Sequence, residues 1–205
     1  ASTPYPTRPI RIVDAFPPGG PSDIVARALA PRLGEALGQV VVVDNRGGAS
    51  GIVGCDIVAK AAPDGYTMLI GPSGALTIQP TLNPKLPFDP QRDFEPVTQL
   101  TTGPQVSAVH PAVNAKSVGE LIALAKAKPG SLSYGSSGIG SSQHLAGELF
   151  REMAAINIVH VPYKVGSAAN LDLIAGRIQL AFASTTSVLH IKAGDVFRAR
   201  IDGRL

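Results

Sequence analysis

The sequence lacks tryptophan and has few aromatic or charged residues. Phe, Trp and Tyr together make up 5% of the 205 residues, and charged residues make up 16%. The net charge is only +3, and lysine and arginine are scattered, with no basic stripe interleaved with aromatic side chains. No apolar run approaches the length of a membrane-spanning helix. We therefore expect neither a nucleic-acid partner nor direct insertion into a membrane.

The chain is also short of cysteine. Cys55 is the only one, so no disulfide can form within the chain, and cysteine usage does not indicate a redox compartment. Its place beside Gly54 in an apolar segment predicts a small buried residue rather than a nucleophile. The chain begins with Ala1 rather than methionine, as a secreted protein does after signal cleavage and as a trimmed chain also does.

Glycine and proline are abundant, with 22 and 18 residues, and 44% of the chain is apolar. The stretch 10–37 shows how they are used. An apolar run from Ile10 to Val13 predicts a strand, residues 17–21 form a Pro/Gly turn, and apolar residues then recur at helical spacing as far as Leu37. Gly38 is placed to end that helix, and Ser22 or Asp23 to cap its start. A helix N-terminus beside flexible glycines favours an anion.

The same order of strand, glycine turn and helix recurs along the chain. In the first half, strands are predicted at 40–43 and 67–70, a helix at 52–61, glycine turns at 45–51 and 71–74, and an irregular proline-rich connector at 80–96. In the second half, strands are predicted at 106–109, 132–135, 158–161 and 178–182, and helices at 117–127, 145–153, 168–175 and 187–193. This alternation predicts two α/β lobes with mostly parallel sheets, joined near residues 97–105.

The serine-rich turn at 135–142 carries the most chemistry. Its glycine spacing is that of a phosphate-binding loop, but Ser141 stands where such a loop needs lysine, and Gln143 breaks the dinucleotide-binding pattern. No G-x-S-x-G elbow is present. Backbone N–H groups and serine hydroxyls can instead hold a carboxylate or a phosphate without a lysine.

The sequence offers no coherent catalytic or metal-binding set. The histidines at positions 110, 144, 160 and 190 are isolated and lack metal-ligand spacing, so structural roles are expected for all four. Asp14 and Asp23 can be drawn as an acid–base pair, but a strand-end residue and a helix cap are the favoured interpretations. Tyr163 and Lys164 follow a predicted strand and provide a phenol and a cation, or only a solvated pair.

An ordered series of sequence blocks resembles the Bug-type solute-binding proteins, the periplasmic receptors of tripartite tricarboxylate transporters. The blocks are FPPGGPSD, VDNRGGASGIVG, APDGYTML, FDPQRDFEPVT, SYGSSGIGSSQHLAGELF, HVPYK and HIKAG. The similarity runs from about Tyr5 to Gly194, and the order of the blocks is more specific than any single one.

The resemblance implies an α/β, two-lobed periplasmic binding protein fold of the type II, Venus-flytrap kind, with lobe one at 1–96 and lobe two at 97–205. It implies a receptor that is not an enzyme, needs no cofactor or metal, binds a small carboxylate between its lobes and passes it to membrane permease subunits. The ligand would be a monocarboxylate, a dicarboxylate or an acidic amino acid. The ligand-binding candidates that it implies are Gly19, Gly20, Asp23, Ser73, Ser136, Ser137, Gly138, Gly140, Ser141, Tyr163, Lys164 and Ala183.

The chain departs from the family pattern at three places. Val165 replaces the usual glycine after the PYK motif, and Ala183 stands where an aspartate is common. After Gly194 the sequence diverges and ends, so the resemblance predicts that the second half of lobe one is missing and that lobe one is incomplete. Two alternatives remain open at this point: an anion-binding α/β enzyme acting on a phosphorylated or carboxylated substrate, with a general base near Ser137 or Ser141, and a remnant without binding activity.

Overall fold

A computed structural model describes residues 4–185 and the backbone of residues 197–200. The chain divides into two units, residues 1–100 and 101–205. In the first unit the elements are β1 (Ile10–Asp14), α1 (Pro21–Leu37), β2 (Val41–Asn45), α2 (Ile52–Ala59), β3 (Thr67–Ile70) and α3 (Gln79–Leu82), with a 3-10 turn at Ala49–Gly51 and a π-helical turn at Gly74–Ile78.

Strand β1 is the centre of the first sheet. It pairs in parallel with β2 on one side and with β3 on the other, so the strand order is β2-β1-β3. The side chains of Ile10, Ile12 and Val13 are buried, as the apolar run predicted. In the register of the sheet Asp14 lies opposite both Asn45 and Ile70. The three glycine turns therefore all begin at the carboxyl ends of the strands, on the same side of this sheet.

Helix α1 confirms the predicted stop and corrects the predicted start. Gly38 ends the helix with φ +65°, a backbone conformation that glycine adopts readily. The N-cap is Gly20, without a side-chain cap, so the prediction that Ser22 or Asp23 caps the helix was wrong. Pro21 at the first helical position supplies a φ suited to a helix start. The Asp23 carboxylate accepts a hydrogen bond from the Gly19 N–H in the preceding turn instead.

Other boundaries in this unit also differ from prediction, since β2 covers Val41–Asn45 rather than residues 40–43. Helix α2 ends at Ala59 rather than residue 61. The proline-rich connector is not irregular throughout, because α3 covers its first residues. Pro80 lies in the first turn of that helix, where a missing N–H costs nothing.

Cys55 lies in the core of the first unit with Ala15, Ala75 and Phe88. It is fully buried, and this burial raises the pKa of its thiol to about 12. A thiol that stays protonated is a poor nucleophile. The structure therefore agrees with a packing role for this cysteine.

The second unit contains β4 (Gln105–Val109), α4 (Val118–Ala127), β5 (Ser133–Ser136), α5 (Ser142–Met153), β6 (Val159–Pro162), α6 (Gly166–Ile174), β7 (Leu180–Ser184) and β8 (Phe197–Arg200). The strand order is β6-β5-β7-β4-β8. Strands β5, β6 and β7 are parallel, as predicted, whereas β4 runs antiparallel to both β7 and β8. The helix predicted at 187–193 lies outside the described residues.

The core of the second unit is built around Tyr134 and Phe182. Both are fully buried, and their rings meet edge to face with centroids 5.7 Å apart. Ser117 caps the start of α4, where its hydroxyl accepts a hydrogen bond from the Glu120 N–H at 3.2 Å, while the Glu120 carboxylate accepts from the Lys116 N–H at 2.7 Å. Among the described residues, no helix is both long enough and apolar enough to cross a membrane.

Candidate functional site

The first glycine turn joins β1 to α1 and contains three of the predicted site residues. Gly19 has φ +82°, and its N–H donates to Asp23 Oδ2 at 2.9 Å. Gly20 is the N-cap of α1. The turn therefore brings Gly19, Gly20 and Asp23 together at a helix N-terminus, and the Asp23 carboxylate braces the turn from inside.

Asn45, at the end of β2, ties this turn to the sheet. Its Nδ2 donates to Asp14 Oδ2 at 3.0 Å, to Asp23 Oδ1 at 3.0 Å and to the Phe16 carbonyl at 3.1 Å. The sequence interpretation did not single out Asn45. The sequence does show a polar residue at the end of this strand. It does not show that Asn45 lies opposite Asp14, because that pairing depends on the register of β2 against β1.

The two carboxyl groups held by Asn45 have opposite pKa shifts. Hydrogen bonding to Arg27 at 2.9 Å is the main reason that the pKa of Asp23 falls to about 2, although its side chain is nearly buried. Burial raises the pKa of Asp14, which is fully buried, and the neighbouring Asp23 adds to the effect. Both carboxyl groups form hydrogen bonds within the turn, which agrees with the strand-end interpretation of Asp14 but not with the helix-cap interpretation of Asp23.

Ser73 belongs to a different turn from Gly19, Gly20 and Asp23. It is exposed, and it immediately precedes the π-helical turn after β3. Its carbonyl accepts a hydrogen bond from the Thr77 hydroxyl at 2.6 Å. It thus belongs to the third turn of the first sheet, which begins on the same side of the sheet as the first.

The second unit carries an equivalent turn between β5 and α5. Its Ser136 is fully buried, and the Ser136 hydroxyl donates to the Gly138 carbonyl at 3.2 Å and accepts from the Gly138 N–H at 3.1 Å. Gly138 and Gly140 have φ +112° and +77°. Ser141 caps α5, since its hydroxyl accepts from the His144 N–H at 3.2 Å. The predicted residues 136–141 therefore form one compact turn.

Several groups that the resemblance implies for ligand binding are engaged within this turn. The Ser137 N–H donates to Gln143 Oε1 at 2.7 Å, and the Gly140 N–H donates to His144 Nδ1 at 3.3 Å. The N–H groups of Ser142 and Gln143 are at the first helical positions, where helix geometry provides no acceptor. The donors that the fold leaves for an anion are thus at the start of α5 itself.

The remaining candidates occupy different surroundings. Tyr163 lies beside the turn, because its N–H donates to the Ser136 carbonyl at 2.9 Å. Its hydroxyl donates to Asp172 Oδ2 at 2.7 Å, and burial followed by this bond raises its pKa to about 12. Lys164 is exposed. Ala183 is fully buried in an apolar cluster with Ala108 and Leu173, so its methyl group packs inside the unit.

Two of the histidines are not isolated in space. The rings of His144 and His160 have centroids 4.3 Å apart, and Tyr134 stacks on His160 at 4.8 Å. The expectation of four isolated histidines was wrong for this pair, because β5 and β6 are neighbours in the sheet and α5 follows β5 directly. His110 is elsewhere, where its Nδ1 accepts from the Ala112 N–H at 3.2 Å, and His190 lies outside the described residues.

The His160 ring supports the turn through Ser136, since its Nε2 is 2.7 Å from the Ser136 hydroxyl. A serine next to an imidazole is also the arrangement of a nucleophile and its base. Here the Ser136 side chain is fully buried, and its hydroxyl both donates to the Gly138 carbonyl and accepts from the Gly138 N–H. Burial lowers the pKa of His160, and the neighbouring His144 lowers it further. The pair is placed to hold the turn rather than to attack a substrate.

The family model described as the tripartite tricarboxylate transporter family receptor matches residues 25–200. The chain is 43% identical over 183 residues to the protein of the tcbD-tcbE intergenic region of a Pseudomonas species, covering 89% of this chain and 54% of that protein. It is 41% identical over 196 residues to the protein BugT of Bordetella pertussis, covering 94% of this chain and 60% of BugT.

Solved structures agree with these relatives. A Rhodopseudomonas palustris protein with adipate superimposes with a TM-score of 0.90 at 36% identity, and MatC of the same species with bound malate with a TM-score of 0.86 at 28% identity. Each alignment covers 95% of this chain and 66% of the other. The chain therefore spans a little over half to about two thirds of these proteins.

The similarity extends through both units and through both of the glycine turns at the helix N-termini. The fold is that of the two-lobed periplasmic binding proteins, of which the chain covers a part. The chain belongs to the tripartite tricarboxylate transporter family receptors, the family that includes the Bug proteins.

Proposed function

We propose that this chain is the binding part of a periplasmic receptor that captures a small carboxylate for a tripartite tricarboxylate transporter. The observation that carries the proposal is the repeated turn: in each unit a left-handed glycine immediately precedes the N-cap of a helix that follows a parallel strand. Such a helix start presents unpaired N–H groups and the positive end of the helix dipole. That is the chemistry of a carboxylate site.

The family relatives support the choice of carboxylate over phosphate. Adipate and malate are the molecules named with two related structures. In this chain the residues proposed to form or support the ligand site are Gly19, Gly20, Asp23, Ser73, Ser136, Ser137, Gly138, Gly140, Ser141, Tyr163, Lys164 and Ala183. Asp23 would act by bracing the first turn, and Ala183 by packing inside the second unit. Among them, side-chain contact with the ligand is assigned to the hydroxyls of Ser137 and Ser141 and to Lys164, whereas Ser136 acts through the turn that it supports. Membrane permease subunits would be the partners that receive the ligand.

Binding to a panel of carboxylates tests the proposal. We expect adipate, malate or another small carboxylate to raise the melting temperature of the chain and to give a saturable heat in calorimetric titration, without chemical change to the compound. The matched control is adipamide, which has the length of adipate but no charge, and we expect it not to bind. Conversion of the bound compound, or equal binding of adipate and adipamide, would contradict the proposal.

Replacing Gly140 or Gly138 by alanine should weaken carboxylate binding more than folding. A side chain at a left-handed backbone position costs about 1–2 kcal/mol, and relief of that strain would reshape the turn that holds the ligand. We expect at least about a tenfold loss of affinity, measured by titration and compared with the change in unfolding free energy. His110→Asn, which lies outside the turn, is the control and should bind as the parent chain does. Equal affinity in the glycine variants would place the ligand elsewhere.

A further inference from the structure

The two glycine turns are braced by the same contact, made with different chemistry. In the first turn the Gly19 N–H donates to Asp23, and in the second the Gly140 N–H donates to His144 Nδ1. Each acceptor is four residues after its glycine and is the third residue of its helix, since α1 begins at Pro21 and α5 at Ser142. Both glycines are left-handed. A carboxylate oxygen and an imidazole nitrogen thus occupy equivalent positions.

The two acceptors respond differently to acid. The Asp23 carboxylate stays ionised down to low pH, because its hydrogen bond with Arg27 lowers its pKa to about 2. An imidazole nitrogen accepts a hydrogen bond only while it carries no proton, and both ring nitrogens become donors in the charged ring. Protonation of His144 would therefore place a donor against the Gly140 N–H.

The groups near His144 come from β5, from β6 and from α5 itself. From β6 the centroid of the His160 ring lies 4.3 Å from that of the His144 ring. From β5 the Tyr134 hydroxyl lies 3.4 Å from the His144 carbonyl and donates to Glu148 at 2.7 Å. On α5 itself the Glu148 carboxylate is also paired with Arg151. The Glu148 carboxylate is therefore engaged by both a phenol and a guanidinium.

We propose that His144 is a positioning residue, which holds the second glycine turn in its binding shape only while the imidazole ring is neutral. Acidification then weakens carboxylate binding at the second turn and leaves the first turn unchanged. The ligand part of this inference rests on the proposed function. The turn part does not, because the contact between Gly140 and His144 is made within the chain alone.

The turn part is tested without ligand by following the backbone amides of Gly140 and Gly19 by NMR between about pH 7.5 and 5.5, the range in which histidine changes charge. We expect the Gly140 amide to shift and to lose protection from hydrogen exchange at the lower pH, while the Gly19 amide keeps both. In His144→Asn the side-chain oxygen can accept the same bond without titrating, so the Gly140 amide should stay protected throughout. A Gly140 amide that is unchanged by acid in the parent chain would overturn the inference.

The ligand part is tested with adipate as the probe. Between about pH 7.5 and 5.5 the parent chain should lose affinity by at least about fivefold more than His144→Asn, because protonation of adipate itself affects both proteins equally. His144→Phe, which keeps a ring against His160 but has no acceptor, should bind weakly across the range. His110→Asn should follow the parent chain.

The outcomes separate the two proposals. Equal loss of affinity in the parent chain and in His144→Asn would overturn the role of His144 in capture. If no carboxylate binds at pH 7.5, the proposed function fails, and the amide measurements still decide whether His144 braces the turn.

Discussion

Replacing Gly147 by alanine should destabilise the second unit by about 3 kcal/mol or more, the upper end of the cost of overpacking a core. Gly147 is a buried residue of α5. A Cβ atom there would lie 2.2 Å from Tyr134 Cε2 and 2.5 Å from Tyr134 Cζ. The helix and the ring cannot both keep their positions at such distances.

The Tyr134 ring has no room in which to retreat. It is fully buried between the stacked His160 ring and the edge of Phe182, and its hydroxyl is bonded to Glu148 at 2.7 Å. For a unit of this size the change corresponds to a fall in melting temperature on the order of 10 °C, measurable by calorimetry or by denaturant titration.

Gly119→Ala is the matched control, since it is also a glycine in a helix. A Cβ atom at Gly119 would find only the Ser117 hydroxyl oxygen, at 3.9 Å. Alanine is a better helix former than glycine by about 0.5–1 kcal/mol, so this variant should be neutral or slightly more stable. A Gly147→Ala chain that melts with the parent would show that α5 shifts away from Tyr134 at little cost.

Replacing Asn45 by aspartate should destabilise the first unit by about 1–3 kcal/mol at neutral pH, because a donor shared by two carboxylates becomes a third negative charge. The Arg27 guanidinium, which donates to Asn45 Oδ1 at 3.1 Å, offsets only part of this charge, since it is already paired with Asp23. The substitution keeps the shape of the side chain. It removes the hydrogen bonds to Asp14, Asp23 and the Phe16 carbonyl. It also places a third carboxylate about 3 Å from two others, of which Asp14 is fully buried.

The pH dependence of this defect has a definite sign. The new carboxyl group takes up a proton more readily in the folded chain than in the unfolded chain, since its neighbours repel its charge. The difference in unfolding free energy from the parent should therefore shrink as the pH falls. Asn83→Asp is the control, because its oxygen only accepts, from the Lys85 N–H at 3.1 Å. An Asn45→Asp defect that does not change with pH would exclude charge repulsion as its cause.

Local features of the chain were predictable because neighbouring residues determine them. The strand at Thr67–Ile70, the helix stop at Gly38 and the Ser117 helix cap each depend on a few consecutive side chains, and the structure has all three. The parallel order of strand, turn and helix followed from the same local patterns.

What the sequence analysis missed depends on strand order and direction. Asn45 becomes the centre of the first turn only because β2 pairs with β1 in one register. His144 and His160 meet because β6 lies next to β5, although 15 residues separate them in the sequence. The antiparallel course of β4 was missed for the same reason, since an apolar run has no direction.

The position of β4 has a consequence for the order in which the chain acquires its structure. Strand β4 opens the second unit, yet its partners β7 and β8 are about 70–95 residues further along the chain. The partners of β1 are only about 30–55 residues away. Loop-closure entropy therefore delays the pairing of β4 more than that of β1. During synthesis β4 therefore stays an unpaired strand, open to aggregation, until first β7 and then β8 have been made.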